Sequence, residues 1–139
     1  MQIDSKIQHL HPAFRAKLLM VIELVEKQTR CPWVIVEGYR SQARQDWLYA
    51  QGRTRPGEIV TWIKSPQWHG IGLAADLAPT KGGQVWYACP RTHWETLRGI
   101  YQAHGLGNPA WHKGDLGHVQ SLDKGFQDKA KAWCEGGFK

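Results

Sequence analysis

From Pro12 onward, Phe14, Leu18, Ile22 and Val25 recur every three or four residues, and this period predicts a helix with one apolar face and Pro12 in its first turn. Trp33-Val34-Ile35-Val36 is a short β-rich run stopping before Gly38, which predicts a buried strand that delivers Tyr39 and Arg40 to its end. Ser41 can cap a second helix running to Gln51, with Ala43, Trp47 and Ala50 on one face and Gly52 as its stop. Residues 53–67 lose all periodicity around Pro56, Gly57 and Pro66 and are expected to form a loop walling a cleft.

Beyond that loop, 73–78 is expected to be a strand closed by Pro79, with a second strand at 84–87 after the Gly82-Gly83 turn. Thr92 and Glu95 have capping-box spacing ahead of Leu97, Ile100, Tyr101 and His104, and Gly105 ends that helix. The Gly105 to Pro109 segment is expected to be a turn. Residues 117–120 should form a short strand whose alternation points His118 and Gln120 to the same face. Phe126, Ala130 and Trp133 predict a final helix ending at Gly136-Gly137. Helices first, then mixed strands and helices, favour an α+β fold over a βαβ repeat. With 139 residues, the length suits one domain spanning 1–139 around one core.

Eight tryptophans exceed what a core this size needs, so some are candidates for lining a groove. The net charge of +6 favours an anionic partner. The cations are scattered, with no dense Lys/Arg tract and no aromatic nucleic-acid motif, so nucleic acid is not the expected partner. Cys31, Cys89 and Cys134 are widely spaced and odd in number, which suits neither a zinc ribbon nor a complete disulfide framework. The first residues lack a basic stretch leading into an apolar one, and no run of ~18 apolar residues occurs. Synthesis in the cytoplasm without a signal peptide, no stable membrane insertion and a monomeric state are the resulting expectations.

The chemistry concentrates in two places. Trp68-His69-Gly70-Ile71-Gly72-Leu73-Ala74-Ala75-Asp76 sets a histidine and a carboxylate seven positions apart, and Asp115-Leu116-Gly117-His118 sets a carboxylate three before a second histidine. His69, Asp76 and His118 are thus three candidate metal ligands, and Asp115 a candidate base. Catalytic zinc sites use three protein ligands and leave the fourth position to water. His112 is a rival ligand by proximity to His118. Asp115 also fits a turn, because Lys113-Gly114-Asp115 has turn composition. Arg40 reads either as a surface cation or as a guanidinium fork for a substrate carboxylate. Trp68 and Trp111 flank the ligand segments and read either as core or as substrate lining. The G-x-G-x-x-A string from Gly70 to Ala75 is not a dinucleotide fingerprint, because it runs into Asp76 and Pro79 rather than opening a helix.

His69, Gly72, Ala74, Asp76, Asp115 and His118 match, position by position, the S-x-H-x-x-G-x-A-x-D and D/E-x-x-H motifs of the LAS family of zinc peptidases, which share a fold with the hedgehog signalling domain. Glu37-Gly38-Tyr39-Arg40-Ser41, Gln45, Leu48 to Thr54, Pro56-Gly57 and Val60-Thr61 resemble the upstream block of the phage endolysin branch, the L-alanyl-D-glutamate endopeptidases. The family serine is Gln67 here, with Ser65 two positions away.

The resemblance implies a short antiparallel sheet flanked by helices, in the manner of hedgehog and DD-peptidase domains. It implies Zn2+ held by His69, Asp76 and His118, with Asp115 as general base and later acid, Arg40 as substrate clamp and bacterial peptidoglycan as partner. Glu37 and Glu58 stand next in line as bases. The protein would reach the wall after release from the host cytoplasm. The alternatives are a D-alanyl-D-alanine carboxypeptidase and a non-catalytic, zinc-stabilised wall-binding module.

Overall fold

The computed structural model describes residues 2–139. Helix α1 (Pro12–Thr29) opens at His11, whose ring accepts a hydrogen bond from the Ala13 amide. Its buried stripe is Phe14, Leu18, Val21 and Val25. Val21 displaces the expected Ile22, because steps of four, three and four follow the helical period more closely. Strand β1 (Trp33–Glu37) continues one residue past the expected run and buries Glu37.

Helix α2 (Gln42–Ala50) is capped as expected, the Ser41 hydroxyl accepting from the Arg44 amide. Its inner face is a correction, since it buries Arg44 and Gln45 rather than Ala43 and Trp47. A buried carboxylate, Glu37, waits on that side, so polar side chains turn inward. Residues 53–66 form no helix or named strand.

Strand β2 (Ala74–Lys81) passes through Pro79 instead of stopping there. The Pro79 carbonyl still accepts from the Trp86 amide, and Thr80 donates to Pro32, so the ladder survives the missing donor. Strand β3 (Gln84–Val85) folds back on β2. Helix α3 (Arg91–Ala103) starts at Pro90 without any side-chain cap bond, which places Thr92 inside the helix and rules out the expected capping box. It buries Trp94, Leu97, Ile100 and Tyr101. Within the segment read as a turn, Leu106 and Gly107 form a two-residue strand, β4, which pairs with β5 (His118–Ser121). Helix α4 (Gln127–Glu135) closes the chain.

The architecture is α+β. The sheet is antiparallel in the order β1-β2-β5-β4, with β3 on the end of β2. One core cluster joins α1, α3 and the sheet face bearing Ala75, Leu77 and Val119. Side chains alternate across a sheet, so their neighbours face the other way. There the register sets Glu37 opposite Asp76 on one side and His118 opposite Asp76 on the other.

Two glycines make this possible. Gly72, at φ +72°, turns the chain between His69 and β2, and its carbonyl accepts from the His11 amide. Gly117 lies so close to β2 that a Cβ would fall 2.1 Å from the Leu77 carbonyl oxygen, and it is the Gly117 carbonyl that receives the Leu77 amide. Gly117→Ala should therefore push β5 off β2 and cost about 1–3 kcal/mol. Gly99→Ala, where an added methyl meets nothing within 4 Å inside α3, should instead stabilise by up to about 1 kcal/mol. Thermal unfolding of the two variants beside the parent checks the pair, and a Gly117→Ala melting point equal to the parent's would contradict the packing described.

Candidate metal centre

His69 lies in the tight helical turn Gln67–Ile71, and its buried ring is fixed by its own neighbourhood. Nδ1–H donates to the Gly38 carbonyl at 2.8 Å, which leaves the Nε2 lone pair facing Asp76 Oδ1 at 3.5 Å. His118 is fixed in the opposite sense. Its Nε2–H donates to Gln120 Oε1 at 2.8 Å, leaving Nδ1 3.1 Å from the same Asp76 oxygen. The strand alternation expected from the sequence supplies that contact, since Gln120 stands two residues along β5. Each imidazole thus has one nitrogen tied to a protein acceptor and the other free, the arrangement that orients metal-ligating histidines.

Donor atoms of His69, Asp76 and His118 all lie within 4.8 Å of one another. Two neutral imidazole lone pairs and a carboxylate converging on one point need a cation or a proton between them. Two nitrogens and one oxygen with an open fourth position suit zinc, so the residues present fit the metal that the motif implies. Burial disfavours the Asp76 charge, but when protons occupy the space between the groups, hydrogen bonds from His118 and His69 and their positive charge outweigh it and hold the carboxyl well below the usual range. Burial likewise opposes a charged His118, yet the hydrogen bond and charge of Asp76 prevail and raise its pKa. His112 is exposed and outside this donor group.

Asp115 reaches the site from a pinned turn. Its amide donates to the Ala110 carbonyl, its own carbonyl accepts from the Asn108 side chain at 2.7 Å, and Gly114 at φ +88° makes the bend. The turn reading holds for Asp115, and the same turn places the residue in the lining of the cavity at the donor group. Asp115 is exposed as a residue, but partial loss of solvation on its cavity side and the nearby Asp76 charge push its pKa up, against the pull of His118, His69 and Arg40.

Arg40, at the end of β1, lies 3.6 Å from Asp76 Oδ2. Its guanidinium donates to Glu37 Oε1 at 2.9 Å and Gln45 Oε1 at 3.1 Å. Glu37 Oε2 accepts from Arg44 at 3.1 Å. Both Glu37 oxygens are thus committed to arginines, Arg44 buried and Arg40 half-buried, which corrects its place as a reserve base. Glu58 is exposed on the loop and lines neither cavity at the centre. Glu37, Gln45, Asn108 and Gln120 support the site from outside the ligand motif; Glu37 and Gln45 stood in the upstream block and Gln120 in the strand period, whereas Asn108 had no signal beyond its turn.

Trp68 lines a cavity of about 500 Å³ above the donor group, together with Arg40, Thr61, Ser65, Lys113 and Asp115. Trp111 does not. It is buried in the core, with Arg91 and Arg98 over its ring, so its expected substrate-lining place is corrected. Gln67, in the family serine's position, takes a left-handed φ of +51°, and its amide donates to the Ser65 hydroxyl.

No family-level sequence model matches the chain. A 56-residue stretch, 38% of the chain, is 48% identical to the peptidoglycan L-alanyl-D-glutamate endopeptidase CwlK of Bacillus subtilis, and it covers 34% of that protein. The match thus spans about a third of this relative's length. Among solved structures, the Serratia marcescens L-Ala D-Glu endopeptidase ChiX superposes with a TM-score of 0.60 at 20% identity, covering 89% of this chain and 86% of that one. The D,D-pentapeptidase VanY E175A variant in complex with Zn(II) superposes at 0.58 and 14% identity, covering 88% and 78%. The LD-carboxypeptidase LdcB gives 0.60 at 18%, covering 97% and 73%. The chain has the fold of these peptidases, and the resemblance to the LAS group holds in both sequence and architecture.

His69→Ala and His118→Ala should each abolish stoichiometric metal uptake, whereas Gln120→Leu should keep the ligands but weaken affinity about 10–100-fold through loss of ring orientation. His118 holds its proton above the ordinary imidazole value, so metal displaces a proton there. Affinity should consequently fall as pH drops through and just above 6.5, by up to about tenfold per unit. Competition titrations at several pH values check both statements, and pH-independent affinity would overturn the ligand role of His118.

Proposed function

We propose that this chain is a zinc-dependent peptidoglycan peptidase that cleaves the L-alanyl-D-glutamate bond of cell-wall stem peptides. The observation that carries the reading is the three-ligand centre with both imidazoles preset, facing Asp115 across a groove that also holds Arg40. The partial match to CwlK and the fold shared with ChiX support the choice of bond. The resemblance of the block from Glu37 to Thr61 to the phage endolysin branch supports reading the chain as a wall-lytic enzyme of that kind, acting on the wall after release.

His69, Asp76 and His118 would hold the zinc, which when bound polarises a carbonyl and acidifies water. Asp115 then takes the proton of the attacking water and returns it to the leaving amine. A carboxyl pushed upward by its surroundings is better matched to accepting and returning a proton near neutrality than an ordinary aspartate. Arg40, braced by Glu37 and Gln45, presents a fixed cation where substrate charge develops. Its bracing means that Arg40→Lys loses the fork as well as a contact to the groove.

Asp115→Asn should retain zinc and melting temperature but lose about 10²–10⁴-fold in turnover. Digestion of purified peptidoglycan with mass spectrometry of the fragments tests the bond: new N-terminal D-glutamate or D-isoglutamine is expected. Release of single D-alanine would replace the reading with a D-alanyl-D-alanine carboxypeptidase, and zinc binding without any release would leave a wall-binding module.

A further inference from the structure

The groove above the metal centre has a neighbour. Gln67 and Trp68, which line it, also line a further cavity of about 450 Å³, closed by Ile71 and by Gln127, Asp128 and Lys131 of α4. Two residues are thus common to both, and a chain leaving the groove past Trp68 meets the second space directly.

Both walls are held by packing inside the fold. Trp68 belongs to the turn that carries His69; its carbonyl accepts from the Leu73 amide at 2.9 Å, and the His69 carbonyl accepts from the Arg40 amide at 3.0 Å. Helix α4 is anchored by the buried Ala130 and by Trp133, whose ring meets that of His11 edge-on at 5.6 Å. Gln67 stands at φ +51°, a conformation that a residue with a side chain keeps only where its surroundings fix it.

The lining says what kind of ligand fits. The half-buried Trp68 and Ile71 supply apolar area, while Gln67, Gln127, Asp128 and Lys131 are exposed and bring two amides, a carboxylate and an ammonium. The charges of Asp128 and Lys131 offset each other, so the cavity favours neither an anion nor a cation. The amides donate and accept alike. An indole face ringed by such groups suits a neutral ligand with apolar C–H faces and many hydroxyl or acetamido groups, which is a saccharide. A lipid surface calls for a wider apolar face, and an anionic polymer for unopposed cations.

The substrate carries such a group close to its cleaved bond. In a stem peptide, L-alanine is amide-linked to the lactyl arm of the muramyl sugar, and that amide uses up the arm's carboxylate. One residue, about 3.5 Å of extended chain, then separates the arm from the L-alanyl-D-glutamate bond. A peptide placed for cleavage therefore brings its sugar to the rim of the groove.

We propose that the cavity between the His69 turn and α4 is a saccharide subsite that holds the muramyl unit of the glycan strand, with the sugar ring against Trp68 and its polar groups on Gln67, Gln127, Asp128 and Lys131. The inference rests on the endopeptidase reading and deepens it. It makes the glycan-linked stem, rather than the free peptide, the preferred substrate, and it fixes which end of the stem lies toward α4.

The test uses the zinc-loaded full chain, one stem peptide in free and N-acetylmuramyl-linked form, and N-acetylmuramyl amide as a peptide-free probe. The parent should cleave the linked stem with a KM about tenfold below that of the free stem and a similar kcat. Gln127→Ala and Asp128→Ala, which lie outside the groove, should each raise KM for the linked stem about three- to tenfold and leave the free stem unchanged. The sugar probe should shift the Trp68 indole N–H signal in NMR spectra, assigned with Trp68→Phe, and do so far less in Asp128→Ala. Melting temperature and zinc content should match the parent's in both alanine variants.

Equal KM values for the two stems, or a preference that survives both substitutions, overturn the subsite while L-alanyl-D-glutamate cleavage stands. A Trp68 signal that answers polyglycerol phosphate or phosphatidylglycerol vesicles but not the sugar overturns it too. If the parent cleaves neither stem and the sugar still shifts Trp68, the saccharide site is supported and the endopeptidase reading falls alone.

Discussion

Two imidazole lone pairs and a carboxylate aimed at one point repel one another unless something positive lies between them, and much of this structure serves to keep them aimed there. Gly38 fixes one ring from just beyond β1 and Gln120 the other from β5, so neither can rotate away to relieve the conflict. Without metal, a proton shared by His118 and Asp76 answers the repulsion, which is why the imidazole pKa rises while the carboxyl falls. With metal, the same geometry becomes a ready three-point site whose ordering cost was met when the chain folded.

Folding can meet that cost because the donors sit on backbone whose position is set by packing elsewhere. Ala75, Leu77 and Val119 bury one face of β2 and β5 in the core, and a one-residue slip of either strand would send them to the polar face and Asp76 or His118 into the core. Glu37 adds a second clamp. It is buried at the end of β1 with Arg40 and Arg44 on its two oxygens, so strand and helix α2 are joined through a charge that cannot be left unpaired. The groove wall is tied to the same network, Gln45 linking Arg40 to the Ile63 carbonyl.

Much of this was legible in the sequence, for reasons that differ by element. Helices α1 and α4 and strand β1 repeat an apolar period long enough to read, and the ligands share a spacing that few other chemistries need. Strand β4 has two residues and no period at all, so only its pairing with β5 reveals it. The capping box at Thr92 failed because Pro90 starts α3 early, a backbone choice that composition does not show. Trp111 and Trp68 look alike in sequence, and only packing separates the core ring under Arg91 and Arg98 from the one beside the cavity. The inward turn of Arg44 and Gln45 was hidden for a related reason, since polar residues are read as outward until a buried partner is known.

The central claim is that register and two ring-fixing hydrogen bonds build one metal site from His69, Asp76 and His118, with a position left for solvent. X-ray absorption at the zinc edge of the loaded protein tests it most directly, because Cys31, Cys89 and Cys134 are all free thiols that could compete for a soft metal. The account predicts two imidazole shells with nitrogen at about 2.0–2.1 Å, additional oxygen from carboxylate and solvent, and no sulfur. A sulfur contribution near about 2.3 Å, or a spectrum requiring a single imidazole, would contradict it.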